Sequence, residues 1–367
     1  MPSVLHVLEA FAGGTERHLL DLVRWVDDFD HVVVAPRSHL GESTDAAVAR
    51  MRALGARVEV IDMRRSPSPV ANTRALWALR ALLARRRPAV VHGHSSVGGA
   101  FARLASIGSS RPLVYTPHGV KRSRWALAGE RLMARRTDRF IAVSESEAEF
   151  ALRHRLADKA RLSVIPNGVD PEPPPALSPS LRSQLGIGVE APLVGSLGRL
   201  TWQKAPEVFV AACALVAADL PDANFLLIGA GPDERRVSQD VQRAGIEKRF
   251  HRLPSLPGAA AAFAELDLYV LSSRFEGFPY TILEAMRAAV PVVATAADGT
   301  RDAVISEVTG LLTPIDDPRA LATAMVGVLR DERRREELGA AGRRRVVEHF
   351  DVRAMAAATT EVYREVL

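Results

Sequence analysis

The chain has one cysteine in 367 residues, Cys213, so no disulfide can form within it. That thiol sits in the apolar run VFVAACALVAA, which reads as a buried helix and not as the setting of a nucleophile. Aromatic residues are scarce, at 5%. The basic clusters lack the interleaved aromatics and recognised motifs that a nucleic-acid partner would require, so none is expected. No apolar run approaches the roughly 18 residues that span a bilayer. The opening MPSVLHVLEAF reads as an apolar strand without a basic leader, and a cytoplasmic location is expected. Neither an Asp-x-Asp signature at a strand end nor a His/Cys ligand spacing is present, which argues against a metal. His92 and His94 at i, i+2 could bind one, but no third ligand is in view.

What is present is material for two cores. Nearly half of the residues are apolar, 47%, and 25% are charged, enough for two domains of roughly 150 residues each. Charge is uneven: residues 1–175 hold 26 Lys/Arg against 18 Asp/Glu, a net +8, and the remainder holds 22 against 25, a net −3. Basic clusters at 63–65, 85–87 and 121–139 suggest an anionic partner on the first half only.

Along the chain, short Val/Leu/Ile runs alternate with helical patterns: SVLHVLEA, TERHLLDLVRWV, HVVVAP, DAAVARMRALG, RVEVIDM, NTRALWALRALLARRRP, AVVHGH. Continuous apolar strands separated by helices imply a parallel sheet buried on both faces. The Pro-rich stretch PEPPPALSPS (171–180) interrupts the series, since proline continues neither a helix nor a central strand. The alternation then restarts. An α/β protein of two doubly wound Rossmann-like domains is expected, over 1–172 and 189–351 with a linker at 173–188, and ligand binding in a cleft at the strand carboxyl ends.

The segment SSRFEGFPYTILEAM (272–286) carries Glu276 in a loop after a strand and Glu284 on the following helix. Pro279 falls near that helix's first turn. Unsatisfied N–H groups there suit the loop to phosphate. Each carboxylate can accept two hydroxyl hydrogen bonds, as a sugar or ribose ring offers. Arg199 and Lys204, in GSLGRLTWQK, follow the first strand of the same domain and can neutralise a diphosphate. In the first domain, Gly13 and Gly14 let backbone approach a phosphate, and His118 stands at a strand end in VYTPHG. NFLLIGAGP lacks the third glycine of a dinucleotide fingerprint and reads as a tight turn. Together these residues describe a nucleotide-sugar cleft.

Over essentially its full length the sequence resembles the retaining GT-B glycosyltransferases of glycosyltransferase family 4. The likeness rests on GGTERHLLDLV, TPHGV, IAVSE, VIPNGVD, GSLGRLTWQK, LLIGAGP and, above all, SSRFEGFPYTILEAMRAAVPVVAT, whose Glu276 and Glu284 fit that family's Glu-x7-Glu pattern. The resemblance implies a GT-B fold with a deep inter-domain cleft, and a C-terminal helix, about 352–367, that packs back on the first domain. Glu276 would touch the donor sugar hydroxyls and Glu284 the ribose. Arg199 and Lys204 would stabilise the leaving diphosphate, assisted by the backbone of Gly14, Tyr280 and Thr281, with Gly13, Gly277 and Phe278 lining the donor. His118 would hydrogen-bond the donor sugar, and His92 and His94 would line the acceptor side.

The implied reaction is metal-independent transfer with retention of configuration from a UDP- or GDP-sugar, with no other cofactor. A lipid-linked or cell-envelope glycan acceptor of polysaccharide biosynthesis is expected at the inner membrane face. Residues 121–139, through Trp125, Leu127, Leu132 and Met133 flanked by arginines, would attach peripherally to anionic lipid. A small soluble acceptor and a GT-B nucleotide-sugar epimerase are the alternatives. Two departures from the family stand out: Ala205-Pro206 follows Lys204 where glycine is usual, and AADGTRDAV carries Asp302 where Gly-Gly and a glutamate are common.

Overall fold

The computed structural model describes residues 1–11, 13–36, 42–64, 69–120, 122–256 and 258–367, so Arg65 and Lys121 of the basic clusters lie outside the described residues. Two compact units are formed, one by Met1–Asn167 with Val352–Leu367 and the other by Gly168–Asp351.

The first unit is built on seven strands: β1 (Ser3–Val7), β2 (Asp30–Ala35), β3 (Arg57–Val60), β4 (Val90–His94), β5 (Leu113–Thr116), β6 (Arg139–Ala142) and β7 (Leu162–Val164). They lie in the order β3-β2-β1-β4-β5-β6-β7, every pair parallel. Apolar strand residues such as Val4, Leu5, Val91 and Val114 are buried, because crossover helices cover both faces of a parallel sheet. The order reverses between β1 and β4, which is the topological switch point of a doubly wound sheet. The terminal helix Val352–Glu365 returns to this unit, packing Met355, Val362 and Tyr363 against Val4, Leu22, Val90 and Ile141.

The second unit repeats the plan with β8 (Leu193–Leu197), β9 (Asn224–Ile228), β10 (Phe250–Leu253), β11 (Leu268–Leu271), β12 (Val292–Thr295) and β13 (Leu311–Thr313). Its parallel order is β10-β9-β8-β11-β12-β13, so its switch point lies between β8 and β11. Cys213 is buried beside Phe209, Phe225 and Met325 in the core of this unit, and burial pushes its thiol pKa well up, which keeps it an inert packing residue.

Two expectations need correction. The division of the chain falls at Asn167/Gly168 instead of residue 172, and residues 173–188 are part of the second unit instead of a linker. Proline bars this stretch from a central strand but not from packing: helix Leu181–Leu185 is held by Arg182 Nη2 at 2.6 Å from Asp267 Oδ2, and the N–H groups of Leu181 and Arg182 donate to the Glu265 carboxylate at 2.7 and 2.9 Å. On helix Arg124–Ala134, Trp125 and Leu132 are 90% and 81% exposed, but Leu127 faces inward. At 100° per residue it shares the inner side with Glu130, which accepts from Arg103 at 2.8 Å and Tyr115 at 3.0 Å. Among the described residues no helix is long and apolar enough to cross a membrane.

Candidate active site

Both loops at the second unit's switch point carry residues singled out in the sequence. After β8, the N–H groups of Gly198 and Leu200 donate to Ile228 O and Ala230 O, each at 3.0 Å. Gly229 makes this pairing possible: at φ +147° a Cβ there would lie 1.9 Å from Gly198 O. Gly229 and Ala230 therefore run extended beside the loop after β8, and the turn falls just beyond, where Glu234 N–H donates to Gly231 O at 3.2 Å. This pairing sets the course of the loop that presents Arg199, which is exposed, and Lys204, which is half-buried.

The loop after β11 is fastened to this one. Arg274 N–H donates to Gln203 O at 2.8 Å, Gln203 Nε2 to Phe275 O at 3.0 Å, and Ser272 Oγ to the carbonyls of Lys204 and Ala205 at 3.0 Å. Arg274, given no role by the sequence, is the central fastener. Its guanidinium reaches Glu207 at 2.7 Å, Asp316 at 2.8 Å and Trp202 O at 2.6 Å, and lies over the Trp202 ring at 5.0 Å.

These fastenings bring Lys204 and Glu276 together. Lys204 Nζ stands 2.6 Å from Glu276 Oε1, and Ser273 Oγ donates to the same oxygen at 2.5 Å. Glu276 is buried, so the pair compensates a charge that would otherwise be expensive to desolvate. Among the described residues both of these bonds fall on Oε1, and Oε2 is the oxygen turned toward a ligand. Helix Tyr280–Arg287 begins after Pro279, which makes no side-chain cap bond, and a helix start carries a partial positive charge that suits an anion. Glu284 lies one turn on and is half-buried.

The AADGTRDAV departure forms helix Asp298–Ala303 behind this loop. Gly299 N–H donates to Glu276 O at 3.2 Å, and a Cβ on Gly299 would fall 1.8 Å from Gly277 O. Gly299 therefore supports Gly277 and Phe278 by direct backbone contact. Asp302 lies away from that contact, its carbonyl accepting from Arg345 Nη2 at 2.9 Å. Ala205, the other departure, takes the left-handed conformation at φ +49°, a position where glycine is unstrained.

In the first unit, Gly13 opens helix Gly13–Trp25 at φ +63°, Gly14 follows it, and His118 stands after β5 at φ +55°. His118 belongs to a cluster that sequence inspection missed. Strand register pairs His6 with His92 across β1 and β4, and the helix supplies His18. Hydrogen bonds join His6 to His94 (3.1 Å) and to His31 (3.0 Å), His94 to His118 (3.4 Å), and His18 to Asn167 (3.1 Å). His92 bonds Tyr363 at 2.6 Å and Thr116 at 2.8 Å. The expectation that His92 and His94 find no third ligand is corrected: the nitrogens of His6, His92 and His94, and those of His18, His94 and His118, lie within 4.8 Å of one another. Burial holds all six rings below the ordinary histidine range, His18 at about 4. Beside them, the buried Glu147 accepts from Gly119 N–H at 2.6 Å and Val143 N–H at 2.8 Å. Burial raises its pKa to about 7.

With this geometry in hand, relatives are informative. Residues 12–173 match Glycosyltransferase Family 4, and residues 178–345 match Glycosyl transferases group 1. D-inositol 3-phosphate glycosyltransferase of Xylanimonas cellulosilytica is 30% identical over 303 residues, covering 75% of this chain and 72% of the relative. The chain belongs to the family 4, group 1 glycosyltransferases. The Escherichia coli UDP-Gal:alpha-D-GlcNAc-diphosphoundecaprenol alpha-1,3-galactosyltransferase is 29% identical over 283 residues, covering 73% of each chain. The fold matches that of Anabaena HepE in complex with UDP and glucose, at TM-score 0.86 and 22% identity over 100% of both chains. Two Rossmann-like units of the GT-B kind are thus the architecture of this glycosyltransferase.

Proposed function

We propose that this glycosyltransferase moves a sugar from a nucleoside-diphosphate sugar to an acceptor hydroxyl with retention of anomeric configuration and without a metal or other cofactor. The observation that carries the reading is the Lys204–Glu276 pair at the β8/β11 switch point, beside a helix start whose cap supplies no side-chain partner. Glu276 Oε2 accepts donor sugar hydroxyls and Glu284 the ribose hydroxyls. Arg199, Lys204 and the N–H groups of Tyr280 and Thr281 receive the charge that develops on the diphosphate. Gly277 and Phe278 line the donor, and the first unit contributes Gly13, Gly14 and His118. The bond from anomeric carbon to phosphate oxygen breaks with its electron pair going to the diphosphate. The acceptor oxygen attacks from the same face, and its proton passes to the departing diphosphate oxygen.

The acceptor class we favour is lipid-linked, with the enzyme at the inner face of the cytoplasmic membrane. Trp125 and Leu132 are one helix face, i and i+7, and project outward with Arg124 and Arg135 beside them, as an interfacial helix requires. The Escherichia coli relative, named for a diphosphoundecaprenol acceptor, supports this reading. The inositol phosphate relative supports a small soluble acceptor instead.

A panel of nucleotide sugars tests the class. One donor should raise the melting temperature by mass action and slowly release nucleoside diphosphate with a chelator present, and product NMR should show the donor's anomeric configuration. Absence of any stabilising or cleaved donor defeats the proposal, and isomerised donor without acceptor reveals an epimerase. Salt-sensitive pelleting with anionic vesicles, lost on Trp125→Ser with Leu132→Ser, separates the membrane reading from the soluble one.

A further inference from the structure

Four histidines of the first unit form a hydrogen-bonded row whose direction can be read from one end. At that end, His31 Nε2 lies 2.9 Å from the carbonyl of Val26. A carbonyl only accepts, so this nitrogen carries the hydrogen, and the neutral ring keeps its lone pair on Nδ1. His6 Nε2, 3.0 Å from that lone pair, must then be a donor. His6 Nδ1 is in turn an acceptor, which makes His94 Nε2, at 3.1 Å, a donor. The last step repeats the first: His94 Nδ1 accepts, and His118 Nε2, at 3.4 Å, donates to it. Each ring has only one hydrogen to give while it is neutral, and burial keeps all four neutral.

We propose that His31, His6 and His94 are positioning residues that lock His118 in its Nε2–H tautomer, so that His118 offers its Nδ1 lone pair as an acceptor for a substrate hydroxyl. The row sets polarity and does not export protons, because the Val26 carbonyl at its far end cannot take one. His18, packed edge-on against the His118 ring at 4.5 Å, restricts the plane of that ring and is itself held by Asn167. The step toward a sugar hydroxyl rests on the transferase reading; the tautomer lock does not. Outer partners that orient metal-bound histidines lower affinity or activity about 10- to 100-fold when substituted, and a loss toward the lower end of that range is expected here, although none of these residues touches substrate.

Long-range proton–nitrogen NMR of the histidine-labelled protein tests the lock without any substrate. All four rings should show the neutral Nε2–H pattern and hold it between about pH 6 and 8. An Nδ1–H pattern at His94 or His118, or titration of either in that range, overturns the proposal. So does stoichiometric uptake of Zn(II) that shifts the His18, His94 and His118 signals, because the same nitrogens would then be metal ligands. In His6→Phe the row is cut, and His118 should populate both tautomers, with kcat down about tenfold and KM for the donor little changed. A His118 spectrum unaltered by that substitution also sinks the lock. Correct tautomers with unaltered kcat would leave the lock standing and remove His118 from the reaction.

Discussion

Lys204 Nζ and Glu276 Oε1 stand 2.6 Å apart, linking the loop that follows β8 to the loop that follows β11. Each is the other's counter-ion, so a donor that engages both must redistribute this contact: the ammonium toward the diphosphate, the carboxylate toward sugar hydroxyls. Lys204→Ala and Glu276→Ala are each expected to lower kcat about 10²- to 10³-fold, the cost of removing one group that stabilises transition-state charge. The double variant should lose less than the product of the two. Because Glu276 is buried, Lys204→Ala leaves its carboxylate without a counter-ion and should lower the melting temperature, whereas Glu276→Ala, which releases only the partly exposed Lys204, should move it little. Turnover and melting of the three variants check this, and near-normal turnover in Glu276→Ala removes the site.

Gly299 is expected to be nearly as sensitive, although it carries no functional group. A Cβ at this position would lie 1.8 Å from Gly277 O and 3.0 Å from Phe278 N, and backbone cannot step aside as a flexible side chain can. Gly299→Ala should cost about 1–3 kcal/mol through overpacking. It should also displace the Gly277 peptide, lowering kcat/KM at least as much as a comparable core overpacking elsewhere. Unchanged donor affinity in a folded Gly299→Ala protein would show that the Gly277–Phe278 loop tolerates displacement.

Much of the second unit's site was legible because its signals are local. A strand, a loop and a helix start lie within SSRFEGFPYTILEAM, and Lys204 follows its own strand by seven positions. The histidine cluster was not legible, because it is assembled by register: His6 and His94 meet across 88 positions of sequence, and each looks isolated in its own strand. The available signal was a histidine in the first strand matching the His-x-His of β4. Helix Ser96–Ala105 escaped notice because Gly98 and Gly99 are poor helix formers. Arg274 escaped because a loop arginine has no pattern to distinguish a fastener from a solvated charge.

The pH dependence of stability should carry two opposed signatures. The six buried histidines have depressed pKa values, so the unfolded chain takes up protons first as pH falls below 6.5. Their contribution is full above that value and is lost toward acid. His18, held at about 4 by burial, alone contributes roughly 1.4 kcal/mol per pH unit within that window. Glu147 has the reverse sign. Its pKa is raised by burial from 4.5 to about 7, so the unfolded chain loses its proton first, and stability falls as pH rises through that interval. Glu147→Gln isolates this term: denaturant unfolding across the interval should show wild type losing ground to the variant as pH rises. A difference that stays flat means that the two backbone N–H donors outweigh burial and hold Glu147 ionised.

Tyr363 fastens the terminal helix to the sheet by two separable means. Its hydroxyl bonds His92 Nδ1 at 2.6 Å, and its ring meets Phe29 edge-on at 5.4 Å within a closed core. Tyr363→Phe keeps the ring and leaves a buried imidazole nitrogen without that partner, at a cost of about 1–3 kcal/mol. Tyr363→Ala removes both, for about 3–5 kcal/mol. Hydrogen exchange should quicken in Val352–Glu365 before it does in helix Ser96–Ala105, since only the former hangs on this contact. Equal losses in the two variants would mean that the hydrogen bond holds the helix and the packed ring adds nothing. A silent Tyr363→Phe would mean that the Thr116 hydroxyl, 2.8 Å from His92 Nε2, is enough to hold the ring of His92 in place.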